Sequence, residues 1–140
     1  MKKFDANYAN CPSRDVLAHV AGKWTVLVLA ILVEGTMRFN ELRRQIQGIT
    51  QKALTQTLRD LERQGLVSRK VFAEVPPRVE YSLTALGRSL VKVLESVRDW
   101  AEAHTQEVMQ AQLRFDEKKR VAMRKAPASR TPARAGLASA

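Results

Sequence analysis

Residues 50–65 constrain the fold of this chain more tightly than any other stretch. Thr50 offers a capping hydroxyl, and Ile49 and Leu54 stand at the spacing of a hydrophobic staple. Leu54, Leu58 and Leu61 then recur every three or four residues, the period of a helix with one buried face. Gly65 provides a left-handed stop, and Leu66 is placed to fold back on Leu61. The spacing predicts a helix over 51–64 whose two ends are both set by side chains. Immediately afterwards the chain turns to β-favouring residues over 67–72 and 78–83, joined by Glu74-Val75-Pro76-Pro77. Proline has no donor for a strand ladder, so the pair belongs in a loop between two strands.

What precedes this stretch is helical in pattern. Pro12 closes an N-terminal arm of residues 1–12, and Ser13 is placed to cap a short helix through Val20 that buries Val16, Leu17 and Val20. Gly22 breaks it. Trp24 to Leu32 is apolar almost all round, as in a helix buried on every side, and Gly35 stops it. Asn40 is a candidate cap for a helix through Ile46, followed by a turn at Gly48. Thr84 opens a long helix with Leu86, Leu90, Val93, Leu94, Val97, Trp100, Ala101, His104 and Val108 at spacings of three and four. Helix, turn, capped helix and hairpin in that order predict a mainly α fold with a small β-hairpin wing: a winged helix-turn-helix, which places one helix in the DNA major groove. The expected organisation is an arm over 1–12, the winged domain with its C-terminal dimerisation helix over 13–115, and a basic, disordered tail over 116–140.

Charge agrees with a polyanionic partner. The chain carries 24 Lys and Arg against 14 Asp and Glu, a formal net charge of +10. Residues 36–83 hold nine Lys/Arg and five Asp/Glu, whereas the flanks 1–35 and 84–113 nearly cancel. The rest of the excess lies in residues 114–140, where eight Lys/Arg outweigh Asp116 and Glu117. Charge by itself fits a solvated basic face equally well; its concentration on the predicted reading head points to nucleic acid.

Stepping 100° per residue from the Leu54/Leu58/Leu61 stripe puts Lys52, Thr55, Gln56, Arg59 and Arg63 on the opposite side, with Gln51 at the edge. Arg and Lys suit guanine, Gln suits adenine, and a Thr methyl suits thymine. The N-terminus of such a helix enters the groove first, so Gln51, Lys52, Thr55 and Gln56 are the expected base readers, with Arg59 and Arg63 on phosphates. Arg38, Arg43 and Arg44 lie on or before the supporting helix, which crosses the backbone. Arg78, past the prolines, is the expected wing contact in the minor groove; Lys70 fits a phosphate contact less well than plain solvation.

Other classes find little support. The mean hydropathy is -0.28 and the longest apolar run, 25–33, is far short of the roughly 18 residues of a membrane span. No basic, cleavable leader precedes it, and a lone Cys11 forms no internal disulfide, which together suit a cytoplasmic protein. His19 and His104 stand singly, no spacing resembles a metal site, and there is neither a phosphate loop nor a nucleophile elbow. No enzyme, cofactor or metal is expected.

The residues closely resemble the HxlR-type family of bacterial winged-helix regulators, which share a MarR-like fold. The likeness runs from about Cys11 to Trp100. It includes Cys11-Pro12, Gly22-Lys23-Trp24-Thr25, Arg38-Phe39-Asn40-Glu41-Leu42, Gly48-Ile49-Thr50, Gly65-Leu66-Val67 and, most specifically, Val75-Pro76-Pro77-Arg78-Val79-Glu80-Tyr81-Ser82-Leu83-Thr84. Thr36 departs from a frequent proline, and residues 116–140 match no family feature. The resemblance implies a homodimer on double-stranded DNA at a pseudo-palindromic operator, and a reactive cysteine at the position of Cys11 in redox-responsive members.

A dimer is expected on physical grounds too, because the long apolar helix exceeds what one small core covers. Leu94, Val97, Trp100 and His104 are the candidate interface, together with the N-terminal segment. Cys11 precedes a helix start, where a thiolate is stabilised, and Arg14 is near; it reads either as an oxidant or electrophile sensor or as a small packed hydrophobe. Two other functions stay open: a winged-helix protein-interaction module, and a non-specific nucleoid-type DNA binder.

Overall fold

The computed structural model describes residues 4–126. Its elements are α1 (Pro12–Val20), α2 (Lys23–Leu32), β1 (Met37–Arg38), α3 (Phe39–Gln45), α4 (Gln51–Arg63), β2 (Val67–Phe72), β3 (Arg78–Leu83) and α5 (Ala85–Lys125). The chain divides into two units, one through Ala101 and one from Glu102. The first holds the winged helix-turn-helix.

Its core forms where the helical stripes meet the sheet. Val28, Leu29 and Leu32 of α2 pack with Leu42 of α3, Leu54, Leu58 and Leu61 of α4, and Val91 and Leu94 of α5, closed by Val67 and Leu83 of the sheet. The sheet is antiparallel in the order β1-β3-β2. Val67 faces Leu83, Arg69 faces Tyr81 and Phe72 faces Arg78, so the hairpin occupies the two predicted runs without a shift. Strand β1 was not expected. Its two residues pair Met37 with Tyr81 and Arg38 with Glu80, and a run of two has no periodicity to read.

The corner between α4 and β2 is bolted to the start of α5. Gly65 sits at φ +72°, and Leu66 N donates to Leu61 O at 2.9 Å while Gly65 N donates to Glu62 O at 3.0 Å, the paired bonds of a Schellman close. Thr84 N donates to Leu66 O at 3.1 Å, and Thr84 Oγ1 donates to Gly65 O at 2.6 Å. The same hydroxyl accepts from Gly87 N at 3.0 Å, capping α5 as predicted. Gly87 is buried here, and a Cβ on it would overlap the carbonyl oxygen of Leu66.

Several expectations are corrected. Ser13 does not cap α1; Cys11 occupies the cap position without a side-chain bond, because Pro12, with fixed φ and no N–H, takes the first helical place. Val16 and Leu17 are 54% and 55% exposed, leaving only Val20 of that helix buried. Asn40 lies inside α3, not at its cap. The pairing of Met37 and Arg38 with β3 ends at Arg38, so the helix starts at Phe39 and Glu41 Oε2 accepts from Arg38 N at 2.7 Å. Leu94 belongs to the chain's own core.

The second unit begins inside α5, which continues helical to Lys125, ten residues beyond the expected limit at Phe115. A helix needs no apolar stripe where Lys, Arg, Ala, Met and Glu supply propensity, and Glu117 and Arg120 add an ion pair at 3.5 Å. The expected disorder over 127–140 lies outside the described residues. No single helix among the described residues is long and apolar enough to cross a membrane.

The corner makes a sharp prediction. Gly87→Ala forces α5 away from Leu66 and should destabilise the domain by about 1–3 kcal/mol in urea unfolding. An unchanged midpoint would show that the corner yields without cost.

Candidate nucleic-acid interface

Helix α4 is presented as its sequence demands. Thr50 Oγ1 accepts from Ala53 N at 3.0 Å, fixing where the helix begins. Leu54, Leu58 and Leu61 are buried, which fixes its rotation about its axis. Gln51, Lys52, Gln56, Arg59 and Arg63 are consequently exposed on the far side. Their surroundings differ. Gln56 Nε2 donates to Asp60 Oδ1 at 3.0 Å, and Thr55 Oγ1 donates to Gln51 O at 2.8 Å. Thr55 is half-buried on the flank of the helix, with its hydroxyl committed to the helix backbone. Gln51 and Lys52, at the N-terminal end, hold no side-chain bond within the described residues.

Around α4 stand the other basic groups. Arg38, Arg43 and Arg44 are all exposed. Arg38, Asn40 and Arg44 line one wall of a cleft of about 620 Å³, and the loop from Glu74 to Val79 lines the other. The structure thus brings the supporting helix and the wing together across an open, solvent-filled gap. Arg78, the expected wing contact, is engaged within the hairpin. Its guanidinium lies 3.3 Å from Glu74 and 3.4 Å from Glu80, and stacks on the Phe72 ring at 4.0 Å. Lys70 Nζ covers the same ring at 4.9 Å. The groups brace the wing, and a groove contact by Arg78 requires exchanging carboxylate partners for phosphate or base.

Sequence reasoning missed Arg69 and Tyr81. With Thr55, Arg59 and Glu62 they line a second cavity, of about 370 Å³, between the flank of α4 and the sheet. The signal was available in the alternation of β2, which puts Arg69 on the same face as the buried Val67.

Away from this face, Cys11 is half-buried with Sγ 3.0 Å from Ser13 Oγ. The hydrogen bond from Ser13 holds the thiol below its ordinary pKa, reinforced by the Ser13 backbone. Ser13, expected as a cap, thus serves the thiol instead. Among the described residues no three His, Cys, Asp or Glu come close enough to hold a metal. A third, apolar cavity of about 550 Å³ lies between α1 and the start of α5, lined by Val16, Leu17, Val20, Leu86, Leu90 and Val93 among others. Of the candidate interface residues, Val97 and Trp100 are exposed and His104 half-buried.

Known proteins share this arrangement. The HxlR-like helix-turn-helix family model matches residues 19–109. The uncharacterised HTH-type transcriptional regulator YtfH of Escherichia coli (strain K12) is 48% identical over 99 residues, covering 71% of this chain and 79% of the relative. Among solved structures, a candidate transcriptional regulator ytfH from Salmonella typhimurium superposes with a TM-score of 0.73 at 40% identity, over 79% of this chain and 98% of that one. The redox regulator HypR in its oxidised form superposes with a TM-score of 0.61 at 43% identity, over 66% of this chain and 96% of that one. With the capped helix α4, the hairpin wing and the family match in agreement, the chain belongs to the HxlR-like helix-turn-helix family, a family of transcriptional regulators rather than of enzymes.

Proposed function

We propose that the protein acts in the cytoplasm as a homodimer on double-stranded DNA, reading a pseudo-palindromic operator with helix α4. One observation carries the reading: α4 is fixed at its N-terminus by Thr50 and in rotation by three buried leucines, and the face so fixed exposes Gln51, Lys52, Gln56, Arg59 and Arg63. Gln51 and Lys52 are the first base readers; Gln56 joins them by releasing Asp60, and the Thr55 methyl supplies apolar contact. Arg59, Arg63, Arg43, Arg44 and Arg38 neutralise phosphates. A two-fold dimer would repeat this contact at half-sites about one helical turn apart, roughly 34–36 Å.

The second copy is expected on the apolar surface of α1 and α5. Val16, Leu17, Leu86 and Val93 surround the groove there, each more than half exposed, and Val97 and Trp100 extend the exposed apolar surface along the helix. Contiguous patches of this kind mark association surfaces in soluble proteins. His104 remains a candidate at its far end. Cys11 stands at the N-terminus of α1, and the hydrogen bond from Ser13 lowers its thiol pKa; likeness to a redox regulator supports a sensing role for it. With no second cysteine in the chain, the products open to it are a bridge to the Cys11 of another copy, a mixed disulfide or an alkylated thioether.

Binding to promoter and random duplexes, measured across a salt series with the stoichiometry of the complex, tests the DNA reading. Two chains per operator and a preference of at least a thousandfold over random sequence are expected. Equal affinities would favour a nucleoid-type binder, and no binding at all a protein-interaction module. Lys52→Ala and Gln51→Ala should each erode the preference by about 1–3 kcal/mol per lost base contact.

For the thiol, Ser13→Ala removes the bond that lowers the pKa, so the pKa should rise. The pH at which Cys11 reaches half its maximal rate of alkylation by iodoacetamide should move upward, with slower labelling at neutral pH. An unmoved profile would show that Ser13 does not activate the thiol.

A further inference from the structure

We infer that Arg69 and Tyr81 of the sheet, with Arg59 of α4, form a seat for one phosphodiester of the DNA backbone. The cavity they line measures about 370 Å³ and is bounded also by Thr55 and Glu62. Strand alternation alone would send Arg69 toward the core, since it shares a face with Val67, and its cross-strand partner is Tyr81. It does not reach the core, because the flank of α4 carries Thr55, Arg59 and Glu62 at that level instead of leucines. Arg59, Arg69 and Tyr81 therefore border one space, and both arginines are exposed.

Commitment of the neighbouring charges sharpens the case. Arg78, on the opposite face of the hairpin, is taken up by Glu74, Glu80 and Phe72. Neither Arg59 nor Arg69 has an ion-pair partner within 4.0 Å among the described residues, and the Tyr81 hydroxyl holds no hydrogen bond there. Guanidinium N–H groups and a phenolic O–H are the donors that phosphate oxygens take. Glu62 on the same wall leaves the lining with a net charge of +1, from two arginines and one carboxylate. That balance suits a phosphodiester, which carries one negative charge, better than a dianionic phosphate monoester. The seat is also continuous with the reading face, because Thr55 and Arg59 belong to both. A phosphate held there would tie the sheet and α4 to the same strand of DNA and set how far the helix enters the groove.

This inference rests on the DNA-binding reading above, and the test separates the two. Binding of the full chain to a promoter duplex and to a random duplex is measured across a salt series, for wild type, Arg69→Gln, Tyr81→Phe and Glu62→Gln, with urea unfolding to confirm that each variant is folded. Arg69→Gln should lower the slope of log affinity against log salt by about one and weaken both duplexes by the same factor. Tyr81→Phe, which keeps the ring and its packing, should weaken both equally with the slope unchanged. Glu62→Gln should tighten both, since it removes the opposing charge. If wild type binds and Arg69→Gln leaves the slope unchanged, the seat is wrong and the reading stands. If Arg69→Gln weakens the promoter duplex alone, Arg69 reads a base and the seat is equally wrong. Inorganic phosphate is the final probe: quenching of Tyr81 by millimolar phosphate that Arg69→Gln abolishes, with DNA binding untouched, would assign the cavity to a free oxyanion and overturn the backbone assignment. If wild type binds no duplex, reading and seat fall together.

Discussion

The corner at Gly65 and Leu66 is the constraint on which the geometry of the reading head depends. It ends α4, begins β2 and receives the start of α5 through Thr84 and the bare backbone of Gly87. Three elements that would otherwise move independently are thereby referred to two adjacent carbonyls. Both carbonyls take their donors from Thr84, the residue that caps α5, eighteen and nineteen residues later. The hydroxyl of Thr84 does two jobs at once, donating to Gly65 O and accepting from Gly87 N. A serine could copy the bonds, but the close approach depends on glycine at 87, where any side chain meets Leu66 O.

From this corner the reading helix runs back to a cap at Thr50, so both its ends are pinned by hydrogen bonds and its middle by leucines. The wing is stiffened differently. Phe72 and Arg78 are cross-strand partners, and the ring receives both Arg78 and Lys70 while Glu74 and Glu80 neutralise the guanidinium. Such pairs at a partly exposed site contribute modestly to stability. Their larger effect is on electrostatics: they hold Arg78 within the wing, while α3 and α4 keep their arginines available. The positive field of the domain is thus weighted toward helices rather than toward the hairpin tip.

Much of this was legible in the sequence because the signals were redundant. Helix α4 was marked by a cap, a staple, a leucine period and a glycine stop, and the hairpin by β-favouring runs on either side of two prolines. Each of these is local. The misreadings fall where the deciding interaction leaves no periodic signal in the sequence, whether its partner is near or far. Asn40 looks like a cap until Met37 and Arg38 are seen to pair with Tyr81 and Glu80. Ser13 looks like a cap until Pro12 takes the first helical place and the hydroxyl turns to Cys11. Arg78, the expected wing contact, is paired with Glu74 and Glu80 close by in the chain, and the Phe72 ring reaches it only when the hairpin closes. Leu94, Val97 and Trp100 share one helical stripe, yet the core takes Leu94 and leaves the other two exposed, a division that depends on where α2 packs. The basic stretch after Phe115 looks like a tail because periodicity is the signal for buried helices, and this one is exposed along its length to Ala126.

The position of Cys11 relative to the apolar groove bears on how a chemical signal would travel. The thiol stands at the N-terminus of α1, and the same nine-residue helix carries Val16 and Leu17 into the groove against Leu86, Leu90 and Val93. A modified thiol changes DNA affinity only if it favours one arrangement of the protein over another. Helix α1 is held lightly, since Val20 is its sole buried residue and Cys11 makes no capping bond. Gln64 and Leu66, at the end of α4, line the same groove. A shift of α1 therefore meets the end of the reading helix directly, at the corner that fixes its direction, without passing through the core.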